Sequence, residues 1–332
     1  MRPSDIAADR VILILGAPRS GTSWLAKIFD SHPDVLYRHE PDTVLRDFDL
    51  PWMCPPEQVP AYRDAAQAYL RRLFDTATLK TAGSLPIFPK RYLGTGGAVL
   101  RNSIIYGLRA MEQVPGTRRI LRGAGIPDLF RIAAHPHLRL VLKSVSSRGR
   151  ARLFAEAMPG MRTIFILRDP WGQVASMLRG AALGKFEGPV PVQELLMTEQ
   201  ARRYGLTAAR FEALPMVEQY AWNWAILNEK AIDDLAGIPG VTVLRYQALC
   251  AAPLPEARAL FDSVGLEWDR QTEDFLRRST TFSGRDRYYQ VFKNTQAAMN
   301  RWREELKPED QRRIQAVVRE TSLAPLCPEL EG

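Results

Sequence analysis

Cysteine is scarce in this chain. Cys54, Cys250 and Cys327 are the only three, and none stands at CxxC or metal-ligand spacing. An odd number of cysteines is not a disulfide framework, so a reducing compartment is expected. The four histidines, His32, His39, His135 and His137, make no metal motif with them, and no chain metal site is expected. Long hydrophobic runs are missing too: nothing approaches the roughly 20 apolar residues that span a bilayer. The run Val11–Leu15 is too short for a signal segment, and Asp5 and Asp9 stand ahead of it beside Arg2 and Arg10. A cytoplasmic protein without a membrane span is the expectation. There is no internal repeat and no low-complexity tail. No basic run interleaved with aromatics is present, which speaks against nucleic acid as a partner.

What remains is ordinary for a globular protein: 46% hydrophobic and 25% charged residues. Lys and Arg outnumber Asp and Glu by 45 to 37, a net charge of +8. That excess fits either a solvated basic surface or a positive cleft that concentrates an anionic ligand. The 332 residues suit one large α/β domain with insertions, or two small domains.

Short apolar runs at Val11–Gly16, Leu138–Leu142, Thr163–Leu167 and Val241–Leu244 have the pattern of buried parallel strands. A shorter one is expected at Val35–Tyr37. Helical spacing over Thr22–Asp30, Arg150–Ala157 and Pro215–Leu235 separates them, so a mostly parallel sheet covered on both faces is expected. The proline-rich region at about 51–127, with its glycine cluster Gly94, Gly96 and Gly97, and the stretch at about 183–215 fit this alternation less well. Both read as insertions that shape an acceptor pocket, the first containing an amphipathic helix over Ala61–Thr76.

Gly16-Ala17-Pro18-Arg19-Ser20-Gly21-Thr22-Ser23 joins the first strand to the first helix. Backbone N–H groups of such a loop, with a helix N-terminus behind them, cradle an anion. The spacing is that of a Walker loop, but Thr22 stands where the Walker lysine would be, and the nearby cation is Arg19. The site therefore reads as built for a phosphate without a triphosphate tail and its magnesium. A second constellation is the strand end Arg168-Asp169-Pro170, with Ser176 eight residues after Arg168 on a predicted helix. An arginine and a serine so placed can converge on one phosphate.

The run Ala17–Trp24 resembles the 5′-phosphosulfate loop of sulfotransferases that use 3′-phosphoadenosine 5′-phosphosulfate (PAPS). The pair Arg168 and Ser176 resembles that family's 3′-phosphate motif. The resemblance implies a three-layer P-loop-kinase-like α/β fold with a central mostly parallel sheet and helical insertions, in a single domain over 1–332. It implies an enzyme that moves a sulfuryl group from PAPS, without a metal, to an acceptor hydroxyl. It places Arg19 at the bridging phosphosulfate and Ser20, Gly21, Thr22 and Ser23 at the 5′-phosphate. Trp24 falls where an aromatic stacks on adenine; packing in the first helical turn is the other reading. Lys293, Asn294 and Arg301 match the last cofactor-contacting loop.

Sulfuryl transfer needs a base for the hydroxyl and a cation for developing charge. Glu40, in Arg38-His39-Glu40-Pro41 at the carboxyl edge of the sheet, is the first candidate for the base, and His39 is the alternative. Some carbohydrate- and protein-modifying members of the family have Glu-Pro there. The small-molecule branch instead carries a histidine after a lysine on the next strand; in Lys143-Ser144-Val145-Ser146 that place holds Val145. Lys143 is then the candidate for stabilising the transferring group, with Ser144 or Ser146 orienting it. The acceptor is a glycan, lipid or other metabolite hydroxyl, with Glu-Pro favouring an aliphatic alcohol. Two alternatives stand beside this reading. A P-loop kinase or nucleotide hydrolase would use Asp169 as a metal ligand, and a non-catalytic nucleotide-binding module would need no base.

Overall fold

Five strands form the centre of the computed structural model: β1 (Val11–Gly16), β2 (Val35–His39), β3 (Arg139–Ser144), β4 (Arg162–Leu167) and β5 (Val241–Arg245). The structure describes residues 2–121, 123–129, 135–184, 192–281 and 295–330. The strand order is β2-β3-β1-β4-β5, and each neighbouring pair is parallel. The sheet among the described residues is thus wholly parallel rather than mostly so. β1 lies at its centre, Val11 opposite Leu140 on one side and Gly16 opposite Ile166 on the other.

The strands alternate sides as pleating demands. Val11, Leu13 and Leu15 of β1, with Phe165 and Leu167 of β4, face a layer that includes the helices Val59–Asp75, Ala151–Ala157, Pro170–Ala182, Met216–Leu235 and Pro308–Arg319. Ile12, Ile14, Ile164 and Ile166 face the other layer, made of α1 (Thr22–Asp30), Pro253–Ser263 and Arg270–Thr280. Both faces are buried, which explains why β1 and β4 read as continuous apolar runs rather than alternating ones. Each fully buried Leu or Ile contributes roughly 1.5–3 kcal/mol. This is the three-layer P-loop-like α/β fold.

The region at 51–127 is more regular than its prolines and glycines suggest. Val59–Asp75 is a helix, as the amphipathic pattern predicts, but Gly94–Met111 is a second one. Gly94, Gly96 and Gly97 sit in its first turn, where the chain enters with a positive φ of 61° at Gly94. The other expected insertion carries the short helices Val192–Leu196, Glu199–Arg203 and Ala208–Glu212, the last two capped by Thr198 and Thr207. No described helix is long and apolar enough to cross a membrane. Cys54, Cys250 and Cys327 are buried thiols outside any disulfide.

Candidate functional site

In an open parallel sheet, ligands bind beyond the carboxyl ends of the strands, where the chain leaves in opposite directions from adjacent strands. β1 connects through α1 to β2 on one side, and β3 crosses over to β4 on the other. The loop Gly16–Gly21 lies at that point. Gly16 cannot be replaced, because a Cβ there would stand 2.7–2.8 Å from Ile166 and Ser20. Gly21 has φ 91°, and its Cβ would meet the Tyr246 ring at 2.4 Å. Between them Arg19 adopts φ 72°, rare for a side-chain-bearing residue. Arg168 Nη1 holds it there by donating to the Arg19 carbonyl at 2.9 Å.

A cavity of about 270 Å³ opens over this loop. Arg19, Gly21, Thr22, Ser23, Trp24, Arg168 and Ser176 all line it. The two motifs, 157 residues apart, touch directly: Arg19 Nε donates to Ser176 Oγ at 3.0 Å. α1 begins at Gly21 with no side-chain cap among the described residues, so its first amides face a place an anion would fill. Arg301 adds positive charge to the wall, whereas Arg179 is paired with Glu305 and Lys27 with Asp30 at 2.6 Å. With Arg19 and Arg168 the cavity carries a net positive charge.

Several residues have other tasks than the sequence suggests. Ser20 turns inward: it is wholly buried, and its hydroxyl and N–H both donate to Ala17 O, at 2.7 and 3.1 Å. It closes the loop instead of facing the cavity. Trp24 packs edge-on to Tyr246 and donates from Nε1 to Ser279 Oγ at 3.1 Å, as the packing reading expects, and it also lines the cavity. Lys293 and Asn294 lie outside the described residues. Arg179 escaped the sequence reading, although it follows Ser176 by one helical turn on the same face of Pro170–Ala182. Tyr246, whose ring lies under the Arg168 guanidinium at 5.0 Å, and Trp302 also line the cavity, brought there by segments distant in the chain.

Asp169 is fully used as the cap of the helix Pro170–Ala182. One oxygen accepts from Gly172 N at 2.5 Å and the other accepts from Gln247 Nε2. A carboxylate so committed is not placed to bind a nucleotide's metal, which weighs against the kinase reading. No group of three or more His, Cys, Asp or Glu suited to a metal occurs among the described residues.

The candidate base lies at the ends of β2 and β3. His39 is in register with Lys143, and Glu40 N extends the ladder by donating to Lys143 O at 2.8 Å. Glu40 then turns left-handed, φ 46°, and its carboxylate pairs with Lys143 Nζ. Burial pushes the Glu40 carboxyl up, but Lys143, His39 and Lys80 together outweigh it and hold it at about 2. Glu40 is thus an ionised carboxylate clamped to an almost wholly buried lysine. The Ser144 hydroxyl is engaged within the protein, donating to Asp42 at 2.5 Å and accepting from the amides of Ser146 and Ser147 at 3.2 and 3.1 Å.

His39 lines the cavity and shares a 2.7 Å hydrogen bond between Nδ1 and the Tyr37 hydroxyl. Burial, then the Lys143 charge, lowers its imidazolium to about 3. It is neutral in the folded protein, whereas in the unfolded chain it gains a proton below about pH 6.5. The unfolded state then binds more protons, so the stabilisation is complete above about pH 6.5 and is lost as pH falls toward 3. We expect His39→Gln to flatten the pH dependence of urea unfolding between pH 6 and 4, by at most about 1.4 kcal/mol per pH unit. Parallel curves for the two proteins would show that His39 is protonated in the fold.

The sulfotransferase family model matches residues 11–270. The chain belongs to the sulfotransferase family. Human carbohydrate sulfotransferase 5 is 24% identical to it over 333 residues, covering 90% of this chain and 73% of that protein. Among solved structures, a sulfotransferase domain from the curacin biosynthetic pathway is 14% identical, with a TM-score of 0.44 over 95% of this chain and 98% of that one. A mouse sulfotransferase complexed with PAP is 11% identical, with a TM-score of 0.43 over 98% of this chain and 90% of that one.

Proposed function

We propose that this sulfotransferase takes its sulfuryl group from PAPS and delivers it to an aliphatic hydroxyl of a glycan, lipid or other metabolite. The observation that carries the reading is the convergence of Arg19, Arg168 and Ser176 with the uncapped start of α1 on one cationic cavity. Two separate anion sites fit a nucleotide with a 5′-phosphosulfate and a 3′-phosphate better than one with a single phosphate chain. Gly21, Thr22 and Ser23 hold the 5′ end, Arg19 sits at the bridging region, and Arg168 with Ser176 holds the 3′-phosphate. Trp24 borders the adenine.

In this reading Glu40 takes the acceptor proton, the hydroxyl oxygen bonds to sulfur, and the sulfur–oxygen bond to the phosphate breaks. Lys143 is shared between Glu40 and the sulfuryl oxygens. As charge builds on those oxygens, the lysine's hold on Glu40 weakens and the carboxylate regains basicity. The carbohydrate relative supports a hydroxyl-bearing sugar as acceptor. The insertions at 51–127 and 183–215 of the single domain shape its pocket. A metal has no assigned part, and the buried thiols are consistent with a reducing, cytoplasmic setting.

Calorimetry tests the donor. Adenosine 3′,5′-bisphosphate should bind clearly more tightly than AMP or ATP, with the same affinity in EDTA. Equal affinity for AMP would remove the 3′-phosphate site, and magnesium-dependent ATP binding would restore the kinase reading.

A further inference from the structure

In that reading the donor leaves one end of the cavity unassigned. Arg19, Thr22, Ser23, Arg168 and Ser176 come from the loops and helices that follow β1 and β4, whereas the same cavity runs on to His39, Ser84 and Leu85. His39 ends β2, the edge strand on the side of the sheet away from β4, and it precedes the candidate base Glu40. Ser84 and Leu85 belong to residues 84–90, which form neither helix nor strand. The backbone carbonyls of such a segment need donors from elsewhere, and side chains supply them.

The first is Lys27, on the helix α1 that follows the phosphate loop. Its buried ammonium donates to Asp30 Oδ2 at 2.6 Å, Ser84 O at 2.7 Å and Pro86 O at 3.0 Å. An ammonium has three protons, so these bonds leave none for a ligand. Lys90 fastens the far end: it pairs with Asp30 Oδ1 at 3.0 Å and donates to His32 O and Val35 O at 3.1 and 2.8 Å. Residues 84–90 are thus tied to the same helix whose first turn faces the 5′ end of the donor. The Lys27 ammonium also lies 5.2 Å from the centre of the Tyr37 ring, and the Tyr37 hydroxyl is bonded to His39. The segment is thereby held beside the strand that presents His39 and Glu40. What it shows the cavity is apolar. Leu85 is 47% exposed and lines it. A single exposed leucine is ordinary on an open surface; this one stands in a cavity wall on a tethered backbone.

We propose that Ser84 and Leu85 form the acceptor wall of this cavity, that Leu85 selects a hydroxyl compound with an apolar chain or ring face beside its hydroxyl, and that Lys27 is the positioning residue that fixes the wall. The proposal rests on the sulfuryl-transfer reading and narrows its acceptor. Thr22, His39 and Leu85 line one cavity. An acceptor seated on Leu85 therefore shares a space with the 5′ end of the donor and with the strand end that bears the base, and holding it there is a source of rate by positioning.

The test uses the whole chain saturated with adenosine 3′,5′-bisphosphate and two probes, octyl and methyl β-D-glucoside, the first kept below its micelle concentration. By calorimetry octyl glucoside should bind the wild type about tenfold more tightly than methyl glucoside, a gain that burial of about two methylenes supplies. Leu85→Ser should remove the difference. Lys27→Met, in which Asp30 keeps Lys90, should remove it too. Neither variant should shift the bisphosphate Kd by more than about threefold, or roughly 0.7 kcal/mol. In turnover of octyl glucoside with PAPS, Lys27→Met should raise KM by about tenfold and leave kcat nearly unchanged, whereas general damage to the fold lowers kcat as well. No octyl preference in the wild type, or one that survives in Leu85→Ser, overturns the wall. A preference lost in Leu85→Ser but kept in Lys27→Met, or a kcat that falls together with the rise in KM, overturns the positioning role. Leu85 is half exposed, so Leu85→Ser reads the wall even where Lys27→Met does not fold; Lys27→Arg, which keeps the charge but not the three-way grip, then reads the positioning role by the same KM and kcat split. Failure to bind the bisphosphate defeats the donor reading instead, and the two glucosides titrated into the free chain still read the wall.

Discussion

Glu40→Gln is expected to lower kcat by about 10²–10⁴. The amide keeps the size of the side chain and one acceptor for Lys143, but cannot take a proton at neutral pH. A base that takes the acceptor proton acts on the acceptor step, so bisphosphate affinity should change little. Lys143→Met should show a different pattern. It frees Glu40 from its partner, lets burial raise the carboxyl, and removes a cation from the transferring group, so kcat falls and its pH profile gains an acidic limb. Single-turnover rates over pH 5–9 separate the two. An active Glu40→Gln together with an inactive His39→Ala would transfer the base to His39, which lines the cavity. Loss of bisphosphate binding in Glu40→Gln would make the residue a support of the phosphate loop.

Arg168→Ala should weaken bisphosphate binding by roughly 1.5–3 kcal/mol, the worth of a hydrogen bond to a charged group, or about 10–150-fold in Kd. The effect has two sources. The variant loses a cation at the cavity wall, and it also loses the bond that holds the Arg19 carbonyl with Arg19 in its left-handed conformation. Arg168→Lys should recover only part of the affinity, because an ammonium restores charge but not the fork that reaches both the ligand and Arg19 O. Ser176→Ala should cost less, about 0.5–1.5 kcal/mol. Calorimetry on variants with an unchanged melting profile is the measurement. Normal affinity in Arg168→Ala would remove the arginine from the 3′-phosphate site.

The residues that were legible in the sequence share a property. Val11–Gly16 and Thr163–Leu167 are buried on both faces and so carry a continuous apolar signal. Gly16 and Gly21 are required by close approach and by a positive φ. Thr22–Asp30 follows with helical spacing. Arg168, Asp169 and Pro170 mark the end of a strand and the cap of a helix by local chemistry. The misread segment, Gly94–Met111, fails for the same reason in reverse: glycines that enter a first helical turn look like glycines in a loop, because propensity is local and the packing that keeps the helix is not.

By itself, then, the sequence determined the strand–loop–helix of phosphate-loop form, the second arginine–serine motif, and the covered parallel sheet, because each is written within about ten neighbouring residues. Tertiary structure alone decided the order β2-β3-β1-β4-β5, and with it everything that depends on partners far apart in the chain. Arg19 meets Ser176, Glu40 pairs with Lys143, Ser20 turns inward onto its own loop, and Asp169 is spent on a cap. Arg148 Nη1 and both amide atoms of Asn228 find no partner among the described residues. Side-chain partnership depends on which strands lie side by side. Strand neighbours are chosen by long-range burial of both sheet faces, a choice that no local spacing records.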